Sequence, residues 1–359
     1  MNEQKNSVIA VEKQGILLSP TGNDFENNGV INPGIYQEGN TVHIFYRAVE
    51  DGNFSTIGYA KTEGPLQITE RKAEPLIFRD FDYEKHGMED SRIVKIEGTY
   101  YLTYTAYDGV NAMGALAVSK DLINFEKKGI ITPKVNYQEY KSHLEHCIRE
   151  KLNPKYYNYY NLSVKIGLVE EKHRLLSDKD LVLFPRKVNG KFVMLHRIKP
   201  GIQIVQFEKW EDLTKEFWEE YIKNLTKHIL MDPVYDFEVN YIGGGCPPIE
   251  TEEGWLLIYH GVCETNIGQT YHAAAALLDL ENPSKVIGRL PYPLFSPSKK
   301  WEEEGVVSHV VFPTGSAQFG DDLYIYYGAA DTHIAVAKVS MTELLGELKI
   351  TYQPSNIAK

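Results

Sequence analysis

Thr41-Val42-His43-Ile44-Phe45-Tyr46-Arg47 is a run of β-branched and aromatic side chains whose pattern returns four times along the chain. The later copies are Tyr100-Tyr101-Leu102-Thr103-Tyr104-Thr105, Lys191-Phe192-Val193-Met194-Leu195-His196-Arg197, Trp255-Leu256-Leu257-Ile258-Tyr259-His260 and Leu323-Tyr324-Ile325-Tyr326-Tyr327-Gly328. Each copy follows a turn containing glycine, at Gly39, Gly98, Gly190, Gly254 and Gly320. A second apolar run comes next in every case, the first being Ile57-Gly58-Tyr59-Ala60 and the last Ile334-Ala335-Val336-Ala337. Short runs of this composition, punctuated by glycine turns, predict strands. With Tyr46, Tyr104, His196, Tyr259 and Tyr327 taken as equivalent, the intervals are 58, 92, 63 and 68 residues. Repeats of about sixty residues built of strands and turns predict propeller blades. Five units predict an all-β fold, a single five-bladed β-propeller domain over residues 1–359.

A third element precedes each pair of strands: Asn32-Pro33-Gly34, Asp90-Ser91-Arg92, Phe184-Pro185-Arg186, Cys246-Pro247-Pro248 and Phe312-Pro313-Thr314. Aligned on their prolines, these segments read as the innermost strands, where proline is tolerated because one backbone edge is free. The long second interval requires helical or loop insertions. One falls at about 134–177 and includes Tyr156-Tyr157-Asn158-Tyr159-Tyr160. Another falls at about 208–230, where Trp210, Leu213, Phe217, Tyr221 and Leu225 recur at helical spacing and predict a helix packed on the blades.

The chain carries a net charge of −11, which excludes a nucleic-acid backbone as the expected partner. No apolar run approaches the length of a membrane span. Cys147, Cys246 and Cys263 are odd in number and lack metal-ligand spacing, so free thiols in a reducing compartment are expected. The first residues show no signal-peptide pattern, which points to the cytoplasm, or to the periplasm if a leader has been trimmed. Homo-oligomer formation stays open.

Chemistry concentrates at His86-Gly87-Met88-Glu89-Asp90-Ser91-Arg92-Ile93, where two carboxylates and an arginine open a strand. A carboxylate beside another carboxylate and an arginine can be tuned as a proton donor or acceptor. The innermost strand of a blade lines the axial channel, so Asp90 and Arg92 are expected at its mouth. After each aligned aromatic stand Arg47, Thr105, Arg197, His260 and Gly328. Three of these five are cationic or can become so, which predicts a positive ring able to attract anionic or hydroxyl-rich ligands.

Gly87-Met88-Glu89-Asp90-Ser91-Arg92, Leu183-Phe184-Pro185-Arg186-Lys187, Gly243-Gly244-Gly245-Cys246-Pro247-Pro248, Ile258-Tyr259-His260-Gly261 and Tyr327-Gly328-Ala329-Ala330-Asp331-Thr332 resemble glycoside hydrolase family 130. The likeness runs from about Asn32 to Val339. It implies a five-bladed propeller acting on β-mannosides with inversion, as a phosphorylase or a β-1,2-mannosidase. Asp90 matches the family's general acid, which protonates the glycosidic oxygen directly or through a sugar hydroxyl. Asn32, Arg47, Tyr107, Asp108 and Asp331 match sugar-binding positions. Arg197 and His260 match phosphate-binding positions, and Lys179 falls near another. The pattern departs at Ser91, which replaces a proline, and at Tyr241, where a phosphate-binding lysine is expected. Glu250 stands where a lysine is common, and Glu264 follows His260-Gly261-Val262-Cys263. Lost positive charge and added carboxylates favour water over phosphate, with Glu264 or Glu250 as the activating base. Glu250 also reads as the start of the turn Glu250-Thr251-Glu252-Glu253-Gly254. The leading expectation is therefore an inverting glycosidase removing terminal, β-1,2-linked mannose. Phosphorolysis giving α-mannose 1-phosphate is the alternative, and a sugar-binding propeller without catalysis the second. The expected partner is an oligosaccharide; no metal or cofactor is required, apart from inorganic phosphate as co-substrate in a phosphorylase.

Overall fold

The aromatic runs form the second strands of five antiparallel units, in a computed structural model that describes residues 9–147, 151–157, 174–266 and 268–351. The first unit comprises β2 (Gly29–Glu38), β3 (Thr41–Glu50), β4 (Phe54–Glu63) and β5 (Gln67–Arg71). The second comprises β6 (Gly87–Ile96), β7 (Thr99–Tyr107), β8 (Ala112–Ser119) and β9 (Phe125–Ile130). Strands β10 (Lys179–Leu183), β11 (Phe192–Arg197), β12 (Ile202–Phe207) and β13 (Ile229–Met231) make the third. The fourth holds β14 (Tyr241–Gly244), β15 (Ile249–Thr251), β16 (Gly254–Thr265), β17 (Gly268–Leu278) and β18 (Val286–Arg289). In the fifth, β19 (Val311–Phe319), β20 (Asp322–Ala329) and β21 (His333–Ser340) are completed by β1 (Glu12–Leu18) from the other end of the chain. The fold is all-β. The fourth strand of each unit is an element that the sequence repeat did not reveal.

Five apolar clusters lie between successive units. Phe45 and Ile57 meet Ile93 and Leu102 between the first and second, and Leu116 meets Leu181 and Met194 between the second and third. Leu195 meets Leu257, and Leu256 meets Leu323, across the next two junctions. Ile44 and Ala317 belong to one cluster that joins the fifth unit back to the first. The strands of neighbouring units approach closely enough that a Cβ on Gly34 would lie 2.8 Å from the Ser91 carbonyl oxygen. Glycine is required there by contact rather than by conformation.

Four units share a buried polar assembly. The aligned tyrosines donate to glutamates carried on short helical turns just before each first strand. These bonds run from Tyr46 to Glu26 at 2.7 Å, Tyr104 to Glu84 at 2.9 Å, Tyr259 to Glu238 at 2.5 Å and Tyr327 to Glu302 at 2.6 Å. Every one of these glutamates is fully buried. Each meets a cation from the fourth strand of its own unit: Arg71, Lys127, Arg289 and, on β1, Lys13. A buried carboxylate is tolerated only when paired and hydrogen-bonded, and here both conditions hold. Burial, with the facing carboxylate added to it, pushes all four tyrosine hydroxyls upward. The third unit differs. His196 takes the tyrosine's place and bonds Asp178 and, through its other ring nitrogen, Tyr221, both at 2.8 Å.

Tyr221 belongs to α2 (Lys215–Lys223), the helix expected from the stripe at 210–230. Helical turns at Trp210–Asp212 and Leu225–Lys227 flank it, and Trp218, Tyr221, Ile222 and Leu225 pack between the second and third units. Within the insertion at 134–177, α1 (Tyr137–Leu144) packs against the same cluster. Asn158, Tyr159 and Tyr160 of that insertion lie outside the described residues. The three cysteines are free thiols.

The proline-based alignment of the inner strands is corrected by the strand register. Arg47 pairs with Ile31, Thr105 with Glu89, Arg197 with Lys179, His260 with Gly243 and Gly328 with Phe312. The positions equivalent to Asp90 are therefore Asn32, Asp180, Gly244 and Pro313. Phe184-Pro185-Arg186 begins after β10 has ended, and Cys246-Pro247-Pro248 lies between β14 and β15. Proline marks where the backbone leaves the ladder, and it does so at a different distance in each unit.

Truncating Arg289 to methionine strands the charge of Glu238 and is expected to cost about 3–5 kcal/mol. Lys300→Met, which breaks only the exposed pair with Glu304, should stay within about 0.5 kcal/mol. Urea and thermal unfolding measure both. Equal effects would show that the buried assemblies are not what holds the units.

Candidate active site

The inner strands are bulged where the chemistry lies. Register breaks fall between Ile31 and Gly34, Glu89 and Arg92, and Lys179 and Val182. Inside these breaks Asn32, Asp90 and Asp180 adopt left-handed backbone, with φ of 48°, 51° and 53°. Asn and Asp tolerate this conformation better than other non-glycine residues, at roughly 1–2 kcal/mol each. A bulge re-aims side chains, and these three point at one cavity. Hydrogen bonds offset part of the strain at Asn32 and Asp90. The Asn32 amide donates to Asp90 Oδ1 at 2.7 Å, Ser91 Oγ donates to the Phe45 carbonyl at 2.8 Å, and Arg92 donates to the Asp90 carbonyl at 2.6 Å.

The cavity measures about 390 Å³. Its inner wall carries Glu89, Asp90, Lys179, Asp180, Arg197 and Tyr241, and Asn32, Arg47 and Asp331 complete the polar lining. Val310, Phe312 and Tyr271 add apolar and aromatic surface. Charges alternate around it. Glu89 sits between Arg47 at 3.1 Å and Lys179 at 2.8 Å, and Arg197 pairs with Asp180 at 2.8 Å. Burial works against the charge of Glu89, but Arg47 and Lys179 outweigh it and hold its carboxyl at about 2. Asp331 goes the other way. Burial raises it to about 6 against the pull of Arg47, with Asp90 and Glu89 adding to the rise.

Beyond the lining, Arg197 donates to His260 Nε2 at 3.2 Å. Burial, and then Arg197, Arg92 and Lys199, push His260 well down, which suits an imidazole accepting from a guanidinium. The Lys199 ammonium lies 3.7 Å from the centre of the Tyr241 ring, and burial with Arg197 and Lys179 lowers it to about 7. The Tyr241 and Tyr271 hydroxyls are 2.6 Å apart. No cluster of metal-ligating side chains occurs among the described residues.

The profile of the glycoside hydrolase family described as β-1,4-mannooligosaccharide phosphorylase matches residues 17–168 and 157–350. The chain belongs to glycoside hydrolase family 130. A 1,2-β-oligomannan phosphorylase of Thermoanaerobacter sp. strain X514 is 33% identical over 339 residues, covering 92% of this chain and 96% of that one. A β-1,2-mannobiose phosphorylase of the same strain is 33% identical over 340 residues, with 90% and 94% covered. The structure of β-1,2-mannobiose phosphorylase from Listeria innocua superposes with a TM-score of 0.70 at 23% identity, covering 95% of this chain and all of that one. Family 130 consists of mannoside phosphorylases and glycosidases, so the chain is an enzyme.

Of the family-130 positions expected to act, the cavity collects Asn32, Arg47, Asp90, Lys179, Arg197, Tyr241 and Asp331. Others need correction. Arg92 is buried beneath the cavity, with its donors directed at the carbonyls of Asp90, Gly244 and Gly245. It is a brace between units. His260 is likewise fully buried behind Arg197. Tyr107 and Asp108 do not line the cavity: the Tyr107 hydroxyl donates to Gly109, and Asp108 accepts from the amides of Val110 and Asn111 in a turn. Neither expected base lines the cavity. Glu250 is exposed and held by two 2.7 Å bonds from Arg186. Glu264 is exposed near the tip of the β16–β17 hairpin, where the Asn240 amide donates to it. Asp180, Tyr271 and Lys199 were missed. Only the strand register equates Asp180 with Asp90, and Lys199 reaches the site from the chain just beyond Arg197.

A carbon-13 titration of the free enzyme should show Asp331 ionising near pH 6, ordinary carboxylates being half-ionised near pH 4. Glu89→Gln removes a neighbouring negative charge and releases Arg47, so the midpoint should fall. A midpoint near 4 in the unaltered enzyme would contradict the buried setting described.

Proposed function

We propose that this enzyme is an inverting β-1,2-mannoside phosphorylase, releasing α-mannose 1-phosphate from the non-reducing end of short mannosides. The observation that carries the reading is the distribution of charge. Lys179 and Arg197 line the cavity and Lys199 lies over Tyr241, whereas Glu250 and Glu264, the carboxylates that would have activated water, are elsewhere. The charge absent at position 241 is supplied by Lys199 from beside it. Asp180 faces the same side of the cavity, but Arg197 engages it at 2.8 Å, which disfavours it as a base. Phosphorolysis therefore replaces hydrolysis as the leading reading. The names of the relatives support it, and those aligning over most of the chain favour the β-1,2 linkage. The same reading takes the five units as the blades of a five-bladed propeller, supported by five inter-unit cores that return from the last unit to the first.

In this mechanism Asn32, Arg47 and Asp331 hold the terminal mannose by its hydroxyls. Phosphate rests on Lys179 and Arg197, where Lys199, partly neutral near pH 7, gains charge when a dianion arrives. A phosphate oxygen attacks C1 as the bond from C1 to the glycosidic oxygen breaks. The electron pair left on that oxygen takes a proton from Asp90, directly or through a sugar hydroxyl. The Asp90 carboxylate regains a proton from the newly formed phosphate ester, so the overall step consumes hydrogen phosphate and yields an alcohol. Asn32 and Arg47 keep the Asp90 carboxyl turned toward the sugar.

Incubation of β-1,2-mannobiose with and without phosphate tests the assignment. The expected result is α-mannose 1-phosphate with phosphate and negligible turnover without it. Free mannose released at a similar rate in phosphate-free buffer would overturn phosphorolysis in favour of hydrolysis. Asp90→Asn should lower turnover by roughly a hundredfold or more, the usual scale for a general acid. Sugar binding with no turnover by the unaltered enzyme would instead leave a binding protein.

A further inference from the structure

Two buried tyrosines from the insertions reach behind the cationic side of the cavity, and the mechanism above gives them no part. The first is Tyr221 on α2. Its hydroxyl donates to the Ile204 carbonyl at 3.0 Å, which leaves the oxygen to accept from His196 Nε2 at 2.8 Å. The other ring nitrogen of His196 meets Asp178 Oδ2 at 2.8 Å. His196 and Asp178 are fully buried. Each stands one residue before a cation of the lining, Asp178 before Lys179 and His196 before Arg197, and these two cations are partners across β10 and β11. Successive side chains along a strand point to opposite faces. Pinning Asp178 and His196 inward therefore turns Lys179 and Arg197 toward the cavity.

The second is Tyr156, within the insertion at 134–177. Its hydroxyl donates to Asp232 Oδ1 at 3.0 Å and accepts from the Gln203 amide at 2.8 Å. Gln203 in turn accepts from the Ile198 backbone N–H at 2.5 Å and donates to the Ile198 carbonyl at 3.0 Å. The stretch that follows, Lys199-Pro200-Gly201, closes against the same hydroxyl, so that a Cβ on Gly201 would lie 2.6 Å from it. On the fourth unit, the Ile242 N–H donates to the Pro200 carbonyl at 2.9 Å. Lys199 leaves this clamped segment to lie over Tyr241.

We infer that Tyr221 and Tyr156 are positioning residues for the phosphate, the first aiming Lys179 and Arg197 and the second aiming Lys199. Neither touches the anion, and the inference rests on the phosphorylase reading. A charge-assisted bond to an oxyanion depends on direction as well as distance, so cations on long side chains need a fixed base. Loss of either hydroxyl leaves a buried donor, on His196 or on Gln203, without its acceptor. The segments behind the cations then shift to satisfy it. Asn32, Arg47 and Asp331, which hold the mannose, belong to the first and fifth units and lie outside both networks.

Tyr221→Phe and Tyr156→Phe each remove one oxygen atom. Initial rates of β-1,2-mannobiose phosphorolysis, with each substrate varied at saturation of the other, yield one KM for phosphate and another for the mannoside. Both variants should raise the phosphate KM by about tenfold, the scale of one weakened charge-assisted bond, and leave the mannoside KM unchanged. Tyr140→Phe is the control. Its buried hydroxyl, on α1 of the same insertion, has no hydrogen-bond partner among the described residues, so neither constant should move. Melting curves verify that all three variants are folded at the assay temperature. An unchanged phosphate KM, equal rises in both constants, or the same rise in Tyr140→Phe would overturn the positioning role. If the unaltered enzyme cleaves mannobiose without phosphate, or not at all, the phosphorylase reading falls instead. The positioning is then scored on crystal structures of the two variants. Arg197 must part from Asp180 in one and Lys199 from Tyr241 in the other, and side chains still in place would overturn it.

Discussion

The bond from a second-strand tyrosine to a buried glutamate, closed by a fourth-strand cation, is the interaction on which the rest of this molecule depends. It joins three parts of a unit that are distant in sequence: the turn before the first strand, the second strand and the outermost strand. It also sets register. Side chains alternate along a strand, so holding Tyr46 inside its unit obliges Arg47 to face the other way, into the cavity. The same logic places Thr105 after Tyr104 and His260 after Tyr259. A slip of one residue would exchange the two and leave a carboxylate buried without its donors. In the fifth unit the cation is Lys13, so the beginning of the described chain is pinned by an ion pair as well as by strand pairing.

The third unit shows what happens where that assembly is replaced. His196 bonds Asp178 and Tyr221 of α2, and the unit's fourth strand, β13, is three residues long. The residues next to this network are Lys179, Asp180 and Arg197. The unit that abandons the common polar core therefore supplies most of the positive charge to the site.

Around the cavity, strain and charge are balanced by neighbours. Left-handed backbone at Asn32, Asp90, Asp180 and Asp331 costs a few kcal/mol, and the bond between units from Asn32 to Asp90 offsets part of it. Arg92 shows the economy of the arrangement, since one buried guanidinium holds the Asp90 carbonyl and two carbonyls of the fourth unit. Glu89 and Asp331 demonstrate how position decides protonation. Two flanking cations keep the first ionised, and burial beside like charges raises the second. The cations that line the pocket are thus already partly paired with carboxylates.

The chain's own letters determined the all-β class and the fivefold repeat, because aromatic runs after glycine turns recur with little variation. The repeat also pointed to Arg47, Asp90 and Arg197 of the polar lining, and the resemblance to family 130 added Asn32 and Asp331. Tertiary structure alone decided the rest. Asp180 was hidden because a bulge shifts register without leaving a residue pattern, and the aligned prolines stand at inequivalent places, Pro33 and Pro313 within strands and Pro185 and Pro247 beyond strand ends. Arg92 belonged to the right motif but was turned inward by bonds to carbonyls some 150 positions away in the chain. Glu250 and Glu264 read as bases because sequence distance to a lining strand is short, yet an ion pair and a hairpin hold their carboxylates away from the cavity. Local pattern reports which face of a strand a residue occupies; only the assembled units determine what that face meets.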